Sequence, residues 1–170
     1  MICCIDLLHQ ERLETMHSAE EALGDLGIDL PDPIAPKGVY RNVLVSGSML
    51  TTSGHLPATP QGDFIIGKLG DQLDADAGFA AARLAGLGIL ASLREAIGSL
   101  DRVVRVVKVL GFVNCTPEFT AQPAVINGCS ELFREIFGEE HGVGTRSAVG
   151  ASSLPLGVAV ELEAVFEIRA

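Results

Sequence analysis

Two stretches of the chain repeat their apolar residues at the spacing of an amphipathic helix. The first runs from Ala75 to Ile97, where apolar side chains recur every three or four positions. Asp74 can cap its N-terminus and Gly98 ends it. The second is predicted to begin at Thr116-Pro117, with Pro at the first helical position, and to reach about Phe137.

Six other stretches have the β-branched or alternating pattern of strands. They are Val39–Val45, Met49–Ser53, Phe64–Ile66, Val103–Val113, Thr145–Val149 and Val158–Ile168. Ser46-Gly47-Ser48 joins the first two as a hairpin turn. We therefore expect an α+β domain with a mixed six-stranded sheet and two long helices on one face. The apolar residues of the other face predict an oligomer that covers it.

The N-terminal part of the chain differs from the rest. Ser18 and Glu21 form a capping box ahead of a short helix, and a proline-rich connector follows from Leu30 to Pro36. We expect residues 1–35 to be an extension and residues 36–170 to be one domain. Met1–Leu8 is apolar but lacks the basic residues of a signal peptide, and Met16 is an alternative start.

Charge and composition exclude several classes of function. The 170 residues hold 22 acidic and 12 basic side chains, so the net charge is −10. Together with one Tyr and no Trp, this argues against a nucleic-acid partner. The chain shows no apolar run of about 18 residues that would span a membrane. Four cysteines without a CxxC motif indicate no zinc site and fit a reducing, cytoplasmic location.

Few side chains have the spacing of known catalytic motifs. The glycines show no nucleotide-binding spacing, the histidines form no ligand pair, and no GxSxG is present. His55 can point into a cleft, but an exposed histidine is the simpler interpretation. Arg146 is flanked by small residues and can grip a carboxylate with two N–H groups. If the last two strands pair, Arg146 and Glu161 flank one cleft; the alternative is a structural ion pair between them.

Three motifs resemble the RidA/YjgF family of imine and enamine deaminases, also labelled endoribonuclease L-PSP. The first is Tyr40 followed by Gly47-Ser48-Met49-Leu50-Thr51-Thr52-Ser53-Gly54-His55-Leu56-Pro57. The second is the strand Val104–Phe112 with the helix Phe119–Phe133, which holds Asn127 at the family's asparagine. The third is Thr145-Arg146-Ser147-Ala148-Val149, then Leu154-Pro155 and Val160-Glu161-Leu162-Glu163-Ala164.

The resemblance implies a chorismate-mutase-like fold in a homotrimer, with clefts between neighbouring subunits. Arg146 would bind the carboxylate of a small substrate, and Glu161 would activate the water that attacks the imine carbon. Tyr40, Ser53-Gly54, Asn127 and the backbone at Ala148 would line the cleft. The products would be a 2-oxo acid and ammonia, with no metal or organic cofactor required.

The chain departs from the family pattern at three positions of these motifs. The family often has Cys at the position of Ala148, Glu at Gly150 and Gln at His55. Two other functions therefore stay open beside the deaminase. A trimer could bind small carboxylates without turnover, which the loss of the family Cys and Glu would favour. A ribonuclease, as in the older family label, is disfavoured by the charge of −10.

Overall fold

The computed structural model describes residues 18–169, which contain three α-helices and five β-strands. The elements are α1 (Ala19–Asp25), β1 (Val43–Ser46), β2 (Met49–Thr52), α2 (Ala75–Ile97), β3 (Val103–Asn114), α3 (Gln122–Gly142), β4 (Thr145–Ala151) and β5 (Val160–Ile168). Short 3-10 turns precede β3 and β5. The expectations for Met1–Leu8 and for a start at Met16 concern residues outside the described range.

The strands form one mixed sheet in the order β1-β2-β5-β3-β4, in which only β3 and β4 are parallel. The α+β class and the mixed sheet are confirmed, but six strands is wrong by one. Phe64–Ile66 makes only isolated bridges, from Phe64 to Ala58 and from Ile66 to Val158. Its two ends pair with different segments, and Pro57 and Pro60 on its partner segment lack the N–H groups that a ladder requires.

The predicted starts of α3 and β1 differ from those in the structure. α3 begins at Gln122, not at Thr116, and its N-terminal proline is Pro123. The amide of Thr116 instead donates to the carbonyl of Leu69, 3.0 Å away, which holds that segment extended. β1 likewise begins at Val43 instead of Val39.

α2 and α3 cover one face of the sheet and pack closely on each other. The predicted bounds of α2 are confirmed, with Asp74 accepting from the Ala77 amide at its N-cap. A Cβ at Gly128 of α3 would lie 2.9 Å from the carbonyl carbon of Phe79, so a glycine is needed at this crossing. α2 is long and apolar enough to cross a membrane, but 56% of the relevant stretch is buried inside the fold, as in a core helix.

The two faces of the sheet differ in their surroundings. In β5 the residues Val160, Leu162, Ala164, Phe166 and Ile168 are buried against the helices, as the alternation predicts. The residues between them point to the other face, which no element of the described chain covers. That face carries exposed apolar side chains, among them Leu44 of β1 and Val149 of β4.

α1 packs against α3 and the turn before β3, with Ala22 and Leu23 buried in the core. Its cap is the predicted one: Ser18 Oγ accepts from the Glu21 amide. Two hydrogen bonds of opposite direction attach this helix to the turn before β3. Asp101 accepts from Ser18 Oγ at 3.0 Å, and Glu20 accepts from the Leu100 amide at 2.9 Å. The acidic helix therefore lies on the helical layer; the domain boundary at residue 35 stays a prediction.

Candidate functional site

Arg146 lies on the edge strand β4 and points to the helical side of the sheet. It pairs with Val109, which is buried against the helices. Its Nη1 donates to Asn127 Oδ1 at 2.7 Å and to Ser130 Oγ at 3.0 Å. The two acceptors lie three residues apart on α3, so they share one face of that helix. Both hydrogens of Nη1 are thus used, and the edge formed by Nε and Nη2 is left to grip a ligand.

Arg146 has no carboxylate partner within residues 18–169. The ion pairs formed there are Arg83–Glu135, Arg94–Glu20 and Arg105–Glu167. The alternative interpretation, a structural ion pair between Arg146 and Glu161 within one chain, is therefore wrong. A half-buried guanidinium held by neutral groups keeps its charge available to an anion.

Arg146 and Glu161 do not flank one cleft within a chain. The condition for such a cleft, pairing of the last two strands, is not met, because β3 lies between β4 and β5. On β3, Arg146 pairs with Val109 and Glu161 pairs with Phe112. These two partners are three residues apart in one strand, so their side chains point to opposite faces of the sheet.

Glu161 lies on the uncovered face and packs against the backbone of Gly54. A Cβ at Gly54 would overlap the carboxylate, with the Glu161 Cδ 2.7 Å away. Burial raises the pKa of Glu161, and the nearby charge of Glu163 raises it further. Ser53 precedes this glycine, and its buried hydroxyl has no hydrogen-bond partner in the described chain.

His55 is half-buried and hydrogen-bonded, whereas the simpler interpretation of the sequence was an exposed histidine. Its Nδ1 lies 2.9 Å from the Ser53 carbonyl oxygen, and its Nε2 lies 2.9 Å from Ser92 Oγ of α2. Burial lowers the pKa of His55, and the Ser53 carbonyl opposes that effect only in part. The ring therefore ties the segment after β2 to the helical layer.

The predicted site residues fall into two groups and one outlier. The first, which we call the arginine half-site, holds Asn127, Arg146 and Ala148; Ala148 pairs with Gly111 on the same face. The second, the glutamate half-site, is the set Ser53, Gly54 and Glu161. Tyr40 belongs to neither: its ring is half exposed, and its hydroxyl accepts from the amide of Lys37 in its own loop.

Sequence reasoning missed two groups in this arrangement. Ser130 was not identified, although its position one helical turn after Asn127 is a usable signal. Ser92 was not identified either, because its pairing with His55 joins elements far apart in the chain. At Gly150, where the family often has Glu, an added Cβ would lie 2.9 Å from Cys115 Sγ.

Comparisons with known proteins agree with the fold and the motifs. Residues 20–165 match the family model described as "YjgF/chorismate_mutase-like, putative endoribonuclease". Protein TCP17 of Trypanosoma cruzi is 46% identical over 144 residues, which cover 85% of this chain and 90% of TCP17. A Shewanella oneidensis structure with the same endoribonuclease label is 32% identical, with a TM-score of 0.85 and coverage of 89% and 100%.

A third similar structure carries a ligand. Escherichia coli TdcF, solved with bound serine, is 28% identical with a TM-score of 0.52, over 83% of this chain and 94% of TdcF. The family match spans most of the chain, including both half-sites. The chain therefore belongs to the YjgF/chorismate-mutase-like family, the group that contains RidA.

Proposed function

We propose that this protein hydrolyses reactive 2-imino acids, and the 2-enamino acids that tautomerise to them, to 2-oxo acids and ammonia. The observation that carries the proposal is Arg146. Its guanidinium is half buried, oriented by two neutral acceptors on α3, and without a carboxylate partner in the described chain. Such a group is preorganised to bind the carboxylate of a small substrate.

The glutamate half-site supplies the second requirement, a base near the reacting carbon. An imine carbon is electrophilic, so a positioned water suffices as nucleophile. The Glu161 carboxylate takes a proton from that water while the C–O bond forms, and the Glu161 carboxylic acid then gives this proton to the imine nitrogen. Glu161 next takes the hydroxyl proton of the resulting carbinolamine and passes it to the amine. The C–N bond breaks, ammonia leaves and the ketone of the 2-oxo acid forms. The overall reaction consumes one water and releases one ammonia.

The two half-sites require a second subunit to meet. Arg146 and Glu161 lie on opposite faces of the sheet in each chain. We propose a homotrimer in which the arginine half-site of one subunit faces the glutamate half-site of its neighbour. The uncovered sheet face, with Leu44 and Val149 exposed, would supply apolar contact area for this assembly. We propose that Tyr40, which is half exposed on its own chain, lines the cleft of a neighbouring subunit.

The comparisons support a small carboxylate ligand. TdcF was solved with serine, an amino acid whose carboxylate is shared by the proposed substrates. The reducing, cytoplasmic location proposed from the cysteine pattern fits Cys115 and Cys129, which are free and buried. The net charge of −10 disfavours binding of a polyanion, so we place RNA cleavage below deamination.

The test is a coupled assay in which an amino-acid oxidase generates imino acids in the presence of the protein. We expect faster imine loss and ammonia release with the wild type, and none above background with Arg146→Ala. Circular dichroism of both proteins controls for folding. Ligand-induced stabilisation without turnover would favour the alternative of a carboxylate-binding trimer. RNA cleavage lost in Arg146→Ala would favour the ribonuclease.

A further inference from the structure

His55 is a half-buried titratable side chain in neither half-site, yet it lies directly beside one of them. We propose that His55, locked by Ser92, is a positioning residue that holds the Gly54 backbone against the Glu161 carboxylate. The inference rests on the proposed function only in that Glu161 acts on the water. The positioning itself is a structural claim and can be tested without turnover.

The hydrogen bonds fix the tautomer of the ring. Nδ1 faces the Ser53 carbonyl oxygen, which can only accept, so Nδ1 carries the proton. Nε2 is then the acceptor for the Ser92 hydroxyl. Ser92 is only 2% exposed, so substrate cannot reach it and a serine nucleophile is excluded. The pair is a strut between α2 and the backbone after β2.

Backbone hydrogen bonds also fix the segment Ser53-Gly54-His55. The Ser53 amide donates to the Asn42 carbonyl at 2.9 Å. His55 exchanges two backbone hydrogen bonds with Leu162, at 2.7 Å and 3.0 Å. Gly54 lies between these two anchors with no hydrogen bond of its own among those described. The bond from the ring to the Ser53 carbonyl therefore controls how the peptide on the N-terminal side of Gly54 is oriented.

The orientation of that peptide matters because Glu161 packs on it without spare room. The carboxylate of Glu161 occupies the space where a side chain at Gly54 would lie. A rotation of the peptide either presses on the carboxylate or opens a gap that water fills. Both outcomes move a base that must lie within hydrogen-bond reach of a water. His55 thus acts on the reaction through Gly54 and Glu161, without contacting substrate.

Steady-state kinetics on the full chain provide the first test, with Ser92→Ala as the main variant. It removes the outer anchor but keeps the ring, and one small side chain replaces another in α2. We expect kcat to fall roughly tenfold with KM nearly unchanged, because misplacing a reacting group affects the chemical step while Arg146 still binds the carboxylate. His55→Gln, which keeps a donor and an acceptor, should stay near wild type, whereas His55→Ala should resemble Ser92→Ala.

His141→Gln is the matched control, since His141 lies near the end of α3, outside both half-sites. It should leave kcat and KM unchanged. A kcat that falls equally in His141→Gln, or that does not fall in Ser92→Ala, would overturn the proposal.

A second readout separates failure of this inference from failure of the proposed function. The Glu161 carboxyl is titrated by carbon-13 NMR, and the Gly54 amide shift is followed, in wild type and in Ser92→Ala. We expect the raised pKa of Glu161 to move down toward the ordinary range of a glutamate, because loosening the segment hydrates the carboxylate. An unchanged pKa with an unchanged Gly54 amide would overturn the positioning role even if imine hydrolysis is confirmed. A shifted pKa in a protein without turnover would support it while contradicting the proposed function.

Discussion

The two half-sites hold their charged groups in opposite ways. In the arginine half-site, side chains on α3 accept two hydrogen bonds from Arg146 and fix its orientation. In the glutamate half-site, the Gly54 backbone packs against the Glu161 carboxylate. Burial raises the pKa of Glu161, and the charge of Glu163 raises it further. The guanidinium of Arg146 is held in a defined direction, while the Glu161 carboxylate has its proton affinity raised.

This difference matches the two tasks that imine hydrolysis sets. A carboxylate anchor needs a permanent cation with a fixed geometry, and a guanidinium bound to neutral acceptors provides it. A general base needs a proton affinity above that of an ordinary carboxylate, which desolvation and a like charge provide. Variants that change one property and leave the other therefore test whether the two half-sites have these separate roles.

Arg146→Ala should have the largest effect. Removing the anchor should lower kcat/KM by about 100-fold or more, since a preorganised charged donor is lost. Arg146→Lys is the matched variant that keeps the charge but lacks the two-pronged edge, so it should recover only part of the activity. Full activity in the lysine variant would show that charge alone matters and that the hydrogen bonds from Nη1 are incidental.

Gly54→Ala should rank next, and it acts on the other half-site. The new methyl group would overlap the Glu161 carboxylate and displace it, so kcat should fall by up to about 100-fold while KM changes little. Gly24→Ala is the control, because a Cβ at Gly24 meets no atom within 4 Å. Equal kinetics for the two variants would contradict the close packing of Gly54 on Glu161.

Ser130→Ala should have a smaller effect, and it should change KM instead of kcat. It removes one of the two acceptors of Arg146 and leaves Asn127, so the guanidinium keeps its charge but gains freedom. We expect KM to rise by about tenfold, the cost of one hydrogen bond to a charged group, with kcat close to wild type. A fall in kcat at constant KM would mean that Arg146 acts in the chemical step instead of in binding.

Glu163→Gln should have the smallest effect, and it concerns pH. The charge of Glu163 raises the pKa of Glu161, so removing it should lower that pKa. Because the base must be ionised, the acid side of the kcat/KM profile should move to lower pH with an unchanged plateau. Glu167→Gln on the same strand is the control, since Glu167 pairs with Arg105. A profile that shifts equally in both variants would point to a general charge effect.

Local signals were enough to predict α2 and much of β5. Asp74 and Gly98 bound the helix through contacts within a few residues, and the alternation in β5 reports directly which face is buried. The start of α3 was misplaced because the competing partner of Thr116 is Leu69, far away in the sequence. The local preference of Thr116-Pro117 for the start of a helix carried no information about that pairing.

The sequence named candidate site residues but could not give their arrangement. Motif resemblance pointed to Arg146 and Glu161, and the hydrogen bond between Arg146 and Asn127 joins two of the named residues. The sequence could not show that β3 separates β4 from β5, because strand order depends on pairing between distant segments. The strut between His55 and Ser92 was missed for the same reason.

In the proposed trimer, each working site takes Arg146 from one subunit and Glu161 from another. The most direct test mixes subunits of Arg146→Ala and Glu161→Gln, each inactive alone, by co-expression or by joint refolding. In randomly mixed trimers, one site in four combines an intact Arg146 with an intact Glu161 from its neighbour, so we predict about a quarter of the wild-type activity. Mixed trimers no more active than the two parents would show that Arg146 and Glu161 do not act across a subunit interface.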